Sequence, residues 1–277
     1  MRRLPIILCT ALLAAACTPQ GGFLDKSQSN DALQAAKRLE KNGDLQGAAA
    51  AYRAIIQQSN APVEAYIGLA SIDRKTGQSD EAVALMKQAQ SHEEGNPEVI
   101  SKLGYALISA GQYEQAVNVF DQLIAMQPDN AMAYNGKAVA FDKAGNHVAA
   151  QEIYNKALSL APDSLTIHNN LAMSLILNDK VNEAIIMLEI LNRQPNANAT
   201  VRQNLALAYA IKGDKKHALE ITSRDLTPEQ AQENLLFYEH YARMKKLEHA
   251  PKHTAMPDSE KTKTLEVLQP NESKPTN

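Results

Sequence analysis

Stepping through the chain in intervals of 34 residues from Gly111 lands on Gly43, Gly77, Gly145, Asp179 and Gly213, with no insertion anywhere. Five residues beyond each stands alanine: Ala48, Ala82, Ala116, Ala150, Ala184 and Ala218. Seven residues before each the chain carries Ala36, Ala70, Gly104, Ala138, Ala172 and Ala206. Two small-residue columns flanking a turn column at one fixed period describe pairs of helices whose backbones approach closely. Such a chain is an all-α repeat array, and its function belongs on an extended surface rather than in an active-site cleft.

On the strict period the repeats run 29–62, 63–96, 97–130, 131–164, 165–198 and 199–232, the last incomplete. Each reads as a helix, a short turn at the glycine column and a second helix. Tyr52, Met86, Phe120, Tyr154 and Leu188 follow the second small column by one helical turn and fill the space beside it. Pro128 and Pro162 stop second helices, while Asn60, Glu94 and Asn196 take that place elsewhere with Pro62, Pro97 and Pro195 close by. The sixth repeat decays after Ala218, since Thr222 and Asp225 occupy positions expected to be apolar. Thr227-Pro228-Glu229-Gln230 then opens a new helix with a capping box and proline at its first position. The expected organisation is a solenoid of about six repeats over 29–226, and a capping helix over 227–247 that covers the last apolar edge. From Glu248 to Asn277 a composition rich in Lys, Glu, Thr and Pro predicts a disordered tail.

The pattern resembles the tetratricopeptide repeat over roughly three quarters of the chain. Its hallmark positions are Leu103-Gly104, Leu107, Ala116, Phe120, Leu123 and Pro128 in the third repeat. In the fourth they are Tyr134, Ala138, Phe141, Ala150, Tyr154, Ala157 and Pro162.

The N-terminus has the layout of a processing segment. Arg2 and Arg3 precede an apolar stretch from Leu4 to Leu13, too short to span a bilayer as a helix. The stretch closes on Ala14-Ala15-Ala16-Cys17, which resembles the lipobox of bacterial lipoproteins although Ala14 stands where that pattern usually carries leucine. That resemblance implies a signal peptide over 1–16, lipidation of Cys17 and a tether over 17–28. The alternative is ordinary A-x-A cleavage nearby, with Cys17 incidental. No later stretch is long and apolar enough for a transmembrane helix.

Charge and cysteine content exclude several classes. The formal net charge is −3 and becomes −5 once Arg2 and Arg3 leave, which argues against nucleic acid and against an electrostatic hold on anionic lipid. Cys17 is the only cysteine left after Cys9 is removed, so there is no disulfide framework. No phosphate loop, H-E-x-x-H or nucleophile elbow occurs. Catalytic residues, metal ligands and cofactors are therefore expected to be none, and the chain is not expected to be an enzyme. His249-x-x-x-His253 has a metal-like spacing but no supporting carboxylate or cysteine. Lys215-Lys216 and Lys245-Lys246 read as solvated charge pairs on helical surfaces.

One row rises above this background. In repeats of this type the fifth, ninth, twelfth and thirteenth positions of each first helix line the concave face. Fifth positions here are Gln34, Ile67, Ser101, Asn135, Asn169 and Gln203, with Asn170 and Asn204 beside the last two. Amides pair with both the N–H and the C=O of an extended backbone, so this row is a candidate peptide clamp. Val139, Met173, Ile176, Leu177, Leu207 and Ile211 flank it as candidate seats for the peptide's side chains. The competing reading is that the amides solvate an inner face and the apolar groups pack within repeats. The N-terminal repeats present Lys37, Glu40, Lys41, Arg74 and Lys75 instead, a charged face.

Toward the C-terminus Val201-Arg202-Gln203-Asn204-Leu205-Ala206-Leu207-Ala208 resembles the last repeat of the lipoproteins of tight-adherence (Tad/Flp) pilus systems. A segment like Arg224-Asp225-Leu226 there leads into a closing helix containing Gln230-Ala231, Asn234 and Tyr238. The resemblance implies an outer-membrane lipoprotein facing the periplasm, a pilotin-like scaffold whose partner is the pilus secretin or another part of the machinery. Thr18 after Cys17 fits the outer membrane, because inner-membrane retention usually looks for aspartate there. Two rival readings stay open: a periplasmic adaptor that delivers a peptidase or cell-wall hydrolase, and a general outer-membrane assembly factor.

Overall fold

The computed structural model describes residues 26–248, all of it helix and turn. The signal segment 1–16, Cys17 with most of its tether, and residues 249–277, His249 and His253 among them, lie outside the described residues. Six helix pairs follow one another: α1 (Lys26–Lys41) with α2 (Leu45–Ile56), α3 (Val63–Lys75) with α4 (Ser79–His92), α5 (Pro97–Ser109) with α6 (Tyr113–Met126), α7 (Ala131–Lys143) with α8 (His147–Leu160), α9 (Leu165–Leu177) with α10 (Val181–Asn192), and α11 (Ala199–Lys212) with α12 (Lys215–Thr222). A longer helix, α13 (Pro228–Glu248), closes the array. The last three residues of the expected tether are thus already part of α1.

The turn column does what its composition requires. Gly43, Gly77, Gly111, Gly145 and Gly213 all have positive φ, and Asp179 adopts the same left-handed conformation at φ 61°. Aspartate is among the few residues that tolerate it. The residue after the glycine then starts the second helix in several repeats. Asp44, Asn146 and Asp214 accept hydrogen bonds from backbone N–H groups two or three residues into α2, α8 and α12.

Both alanine columns are buried, ten of the eleven alanines named in them at 0 % exposure and Ala70 at 3 %. The large residues beside them are no more than 1 % exposed. Phe120 shows how tightly this packing is set. Its ring lies between two first helices, and a Cβ added at Gly104 on one side would fall 2.6 Å from Cζ. One added at Gly136 on the other side would fall 2.3 Å from Cζ and Cε1. Gly68 stands in the same relation to Tyr52. The Phe120 ring is therefore accommodated only because both facing first-helix positions, Gly104 and Gly136, carry no side chain.

The buried side chains form three successive clusters. The first runs from Leu33 to Ile72, the second from Val63 to Ala140 and the third from Ala138 to Tyr241. Ile56 and Leu85 pack against both of the first two, and Val139 against the second and third.

At the C-terminus α12 is the shortest helix of the array, eight residues long. Thr222, its last residue, is buried and donates its hydroxyl to the Ala218 carbonyl at 2.7 Å. Asp225 is taken up by Arg202 of α11 in a two-pronged ion pair, both N···O distances 2.6 Å. The capping box forms as its residues dictate: Thr227 N donates to Gln230 Oε1 at 3.1 Å and Gln230 N donates to Thr227 Oγ1 at 3.4 Å. Helix α13 packs on α11 and α12, with Leu235, Tyr238 and Tyr241 completing the third cluster. Among the described residues no helix is long and apolar enough to cross a membrane.

Candidate protein-binding face

First helices of neighbouring repeats touch one another directly, α3 with α5, α5 with α7, α7 with α9 and α9 with α11. They form the inner row, and the second helices lie outside it. A first helix is thus enclosed by two other first helices and by second helices, so only a narrow stripe of it meets solvent.

This enclosure corrects part of the expected site. Ile176 and Leu207, expected to seat a peptide's side chains, are 0 % and 4 % exposed and belong to the core. Asn135 is 2 % exposed and is an interior residue. Met173 and Ile211 are half-buried, as are Asn169, Asn170 and Asn204, and Gln203 is exposed.

The amides also differ from a row of independent clamps, because they bond to one another across repeats. Asn170 Nδ2 donates to Asn135 Oδ1 at 2.9 Å, and Asn204 Nδ2 donates to Asn169 Oδ1 at 3.0 Å. Asn135 Nδ2 in turn lies 3.5 Å from the Tyr105 hydroxyl. Each step joins one first helix to the next. An amide carries two donor hydrogens and an acceptor oxygen with two lone pairs, so Asn169 and Asn204 retain hydrogen-bonding capacity beyond the bond they share. The inner stripe of α9 and α11 thereby combines half-buried amides with the side chains of Met173, Leu177 and Ile211.

Nearer the N-terminus the same face is ionic. Lys37, Glu40, Glu64, Glu98 and Lys102 surround a shallow depression of about 220 Å³ floored by Tyr52 and Gly68. Tyr52 donates its hydroxyl to Glu40 at 3.1 Å, and burial together with that carboxylate pushes the phenol up to about 12.

Behind the inner row is a polar network with no counterpart in the sequence reading. Asp142 Oδ1 accepts the Ser174 hydroxyl at 2.7 Å and faces His147 Nδ1 at 2.9 Å. Gln151 Nε2 donates to the Ser174 carbonyl at 3.3 Å, and Lys180 Nζ donates to Gln151 Oε1 at 3.3 Å. Serine, histidine and aspartate meet here, but not as a nucleophilic triad. The serine proton points at the carboxylate rather than at imidazole, and Ser174 is fully buried. The network ties α7, α8 and α9 together.

Burial raises the Asp142 carboxyl above its ordinary value, against the opposing pull of His147 and Ser174. A folded-state value above the unfolded one means that the native protein binds this proton more readily. Stability from this site is therefore present at low pH and declines as pH rises through the raised value. Asp142→Asn removes the charge and keeps an acceptor for Ser174. Its melting temperature at pH 7 is expected to match or exceed that of the native chain, with the gap closing on acidification. Asp142→Leu strands the Ser174 hydroxyl and should cost about 1–3 kcal/mol. Circular dichroism melts between pH 4 and 7 check both; an Asn variant less stable at pH 7 would contradict the sign.

Lys245 is the largest departure from expectation. Read in sequence as half of a solvated pair, it is 7 % exposed. Its ammonium donates to the Ile176 and Leu177 carbonyls, both at 2.7 Å, and pairs with Asp179 Oδ1 at 3.0 Å. These carbonyls end α9, where a cation complements the helix dipole. Helix α13 thus reaches past α11 to the far neighbour α9 and closes the C-terminal end of the inner face.

The profile of the tetratricopeptide repeat matches residues 33–97 and 101–165. The fold is a tetratricopeptide-repeat solenoid. Its helix pairs continue beyond the matched residues, through α10 and α12, with the small columns and the turn column intact. Among solved structures, PilF of Pseudomonas aeruginosa resembles it with a TM-score of 0.53 at 15 % identity, over 71 % of this chain and 89 % of that one. A thermophilic tetratricopeptide-repeat protein of Thermus thermophilus does so with a TM-score of 0.56 at 18 % identity, over 66 % and 100 %. At these identities the likeness is one of fold. No curated protein matches the sequence. Tetratricopeptide repeats bind other proteins, and an open inner face of this kind is a protein-binding scaffold.

Proposed function

We propose that this chain is a lipid-anchored scaffold on the periplasmic side of the outer membrane that holds an extended segment of a pilus-assembly protein, the Tad/Flp secretin foremost, along the inner face of its last repeats. The observation that carries the binding mode is the stripe over α9 and α11, where half-buried amides stand beside Met173, Leu177 and Ile211. Backbone pairing by amides gives hold, and the apolar side chains give selectivity. Support for the setting comes from the sequence: the lipobox-like end of the apolar segment at Cys17, and the last-repeat segment in which Arg202 and Asp225 now prove to be bonded partners.

Asn169→Ala, Gln203→Ala and Asn204→Ala together remove three amides from the stripe. Each lost hydrogen bond contributes about 0.5–1.5 kcal/mol, so capture of purified secretin should weaken ten-fold or more. Asn135 is left intact because its interior position would mix folding into the result. Equal capture by a folded triple variant would remove the inner face from the reading.

Location has its own test. Cys17→Ser should turn a protein that sediments with outer membranes into a soluble or unprocessed one. A native chain that fractionates as soluble would overturn the lipid anchor while leaving the scaffold reading in place.

A further inference from the structure

The second helices present two outward columns to solvent. One holds Ala50, Ala84, Asn118, Glu152, Ile186 and Glu220; the other holds Ala54, Gln88, Gln122, Lys156, Ile190 and Arg224. All twelve positions are exposed. Only α10 fills them with large apolar side chains, Ile186 at 61 % and Ile190 at 57 % exposure. Around them Glu183, Met187, Leu191 and Gln194 complete a stripe at helical spacing, which lines a groove of about 460 Å³. Asp163 closes its other side, so the rim carries two exposed carboxylates, those of Asp163 and Glu183. Repeat packing does not need these isoleucines, since the other five repeats manage with alanine or polar groups there.

We propose that this groove is a docking site for the chain's own segment 261–268. Within residues 249–277 the densest apolar run is Leu265, Val267 and Leu268, and Lys261 and Lys263 precede it directly. Two lysines against one carboxylate, that of Glu266, leave the segment net positive, and with its apolar groups it matches an apolar groove rimmed by two carboxylates. The segment is also within reach. Lys245 fixes the end of α13 against the last turn of α9, in the same repeat as the groove. From Leu177 back to His168, which lines the groove, is about 14 Å along α9 at the rise of a helix, and crossing a helix pair adds roughly 20 Å. The sixteen residues from 249 to 264 span at most about 55 Å when extended. Tethering at that distance gives a high effective concentration, so a contact of modest intrinsic strength suffices.

The experiment places cysteines in the full chain with Cys9→Ser and Cys17→Ser as background. Gln194→Cys at the groove rim is combined with Gln269→Cys and joined by a short bis-maleimide. The control pair uses His92→Cys, an exposed residue at the end of α4. Linkage within one chain is expected to be at least five-fold faster at the rim than at the control. It should fall about ten-fold with Ile186→Glu and Ile190→Glu, whose exposed positions leave the fold intact by circular dichroism. Lys261→Glu with Lys263→Glu should slow it as well, and Asp163→Lys with Glu183→Lys should restore it. Equal rates at rim and control, or indifference to the isoleucine changes, would overturn the proposal. Linked dimers in place of linked monomers would overturn it too, by making a second copy the occupant.

Discussion

Phe120→Ala is expected to cost about 3–5 kcal/mol, as truncation of a fully buried ring leaves a cavity that rigid helices close poorly. The more telling variant changes a residue with no side chain. Gly136→Ala sets a methyl 2.3 Å from the Phe120 ring, and the ring cannot retreat because Gly104 holds it from the other side. Overpacking of this kind costs about 1–3 kcal/mol. At about 2–4 °C per kcal/mol for a domain of this size, the melting temperature should drop by several degrees. Combining Gly136→Ala with Phe120→Leu should recover part of that loss, since a smaller side chain vacates the space. Thermal melts of the three variants decide the matter. A Gly136→Ala protein that melts with the native chain would show that α6 and α7 are not in the contact described.

Lys245→Met should release the end of α13. The methionine keeps most of the apolar stem but withdraws a cation from two helix-terminal carbonyls and from Asp179. Hydrogen bonds to charged groups contribute about 1.5–3 kcal/mol each, although water can reclaim carbonyls that become exposed. The expected result is faster amide exchange over the last turns of α13 and over the end of α9, with α1 to α6 unchanged. Lys245→Arg should retain most of the protection. Exchange by mass spectrometry reads both, and unchanged protection in Lys245→Met would mean that the apolar residues of α13 hold it alone.

The contrast between these two sites shows what a sequence can disclose. The helical pairs, the turns and the ring of Phe120 follow from periodicity, because every repeat solves the same packing problem with the same residue sizes. Gly136 stands outside those columns, and its role appears only once the neighbouring ring is seen to need two bare positions. Lys245 lies beside another lysine on a helix with many polar residues, and no local pattern marks it as buried. Its partners are 68 and 69 residues away. The inner face was legible as a row of amides but not as bonded pairs, because pairing depends on the stagger between adjacent helices. Ile176 and Leu207 belong to the core for a related reason: a helix enclosed on several sides exposes less of its circumference than a helical wheel suggests. The outward isoleucines, by contrast, stand out when the 34-residue columns are compared, although a reading confined to the inner face passes over them.

The three clusters of the core meet inside single helices rather than between them. Helix α3 gives Val63, Tyr66 and Ala70 to the second cluster and Ala65, Leu69 and Ile72 to the first, and α7 gives Ala138 to the third and Ala133 and Ala140 to the second. A helix shared in this way cannot shift for one cluster without shifting for the other, so a disturbance in one repeat is handed on to the next through the backbone of α3 or α7.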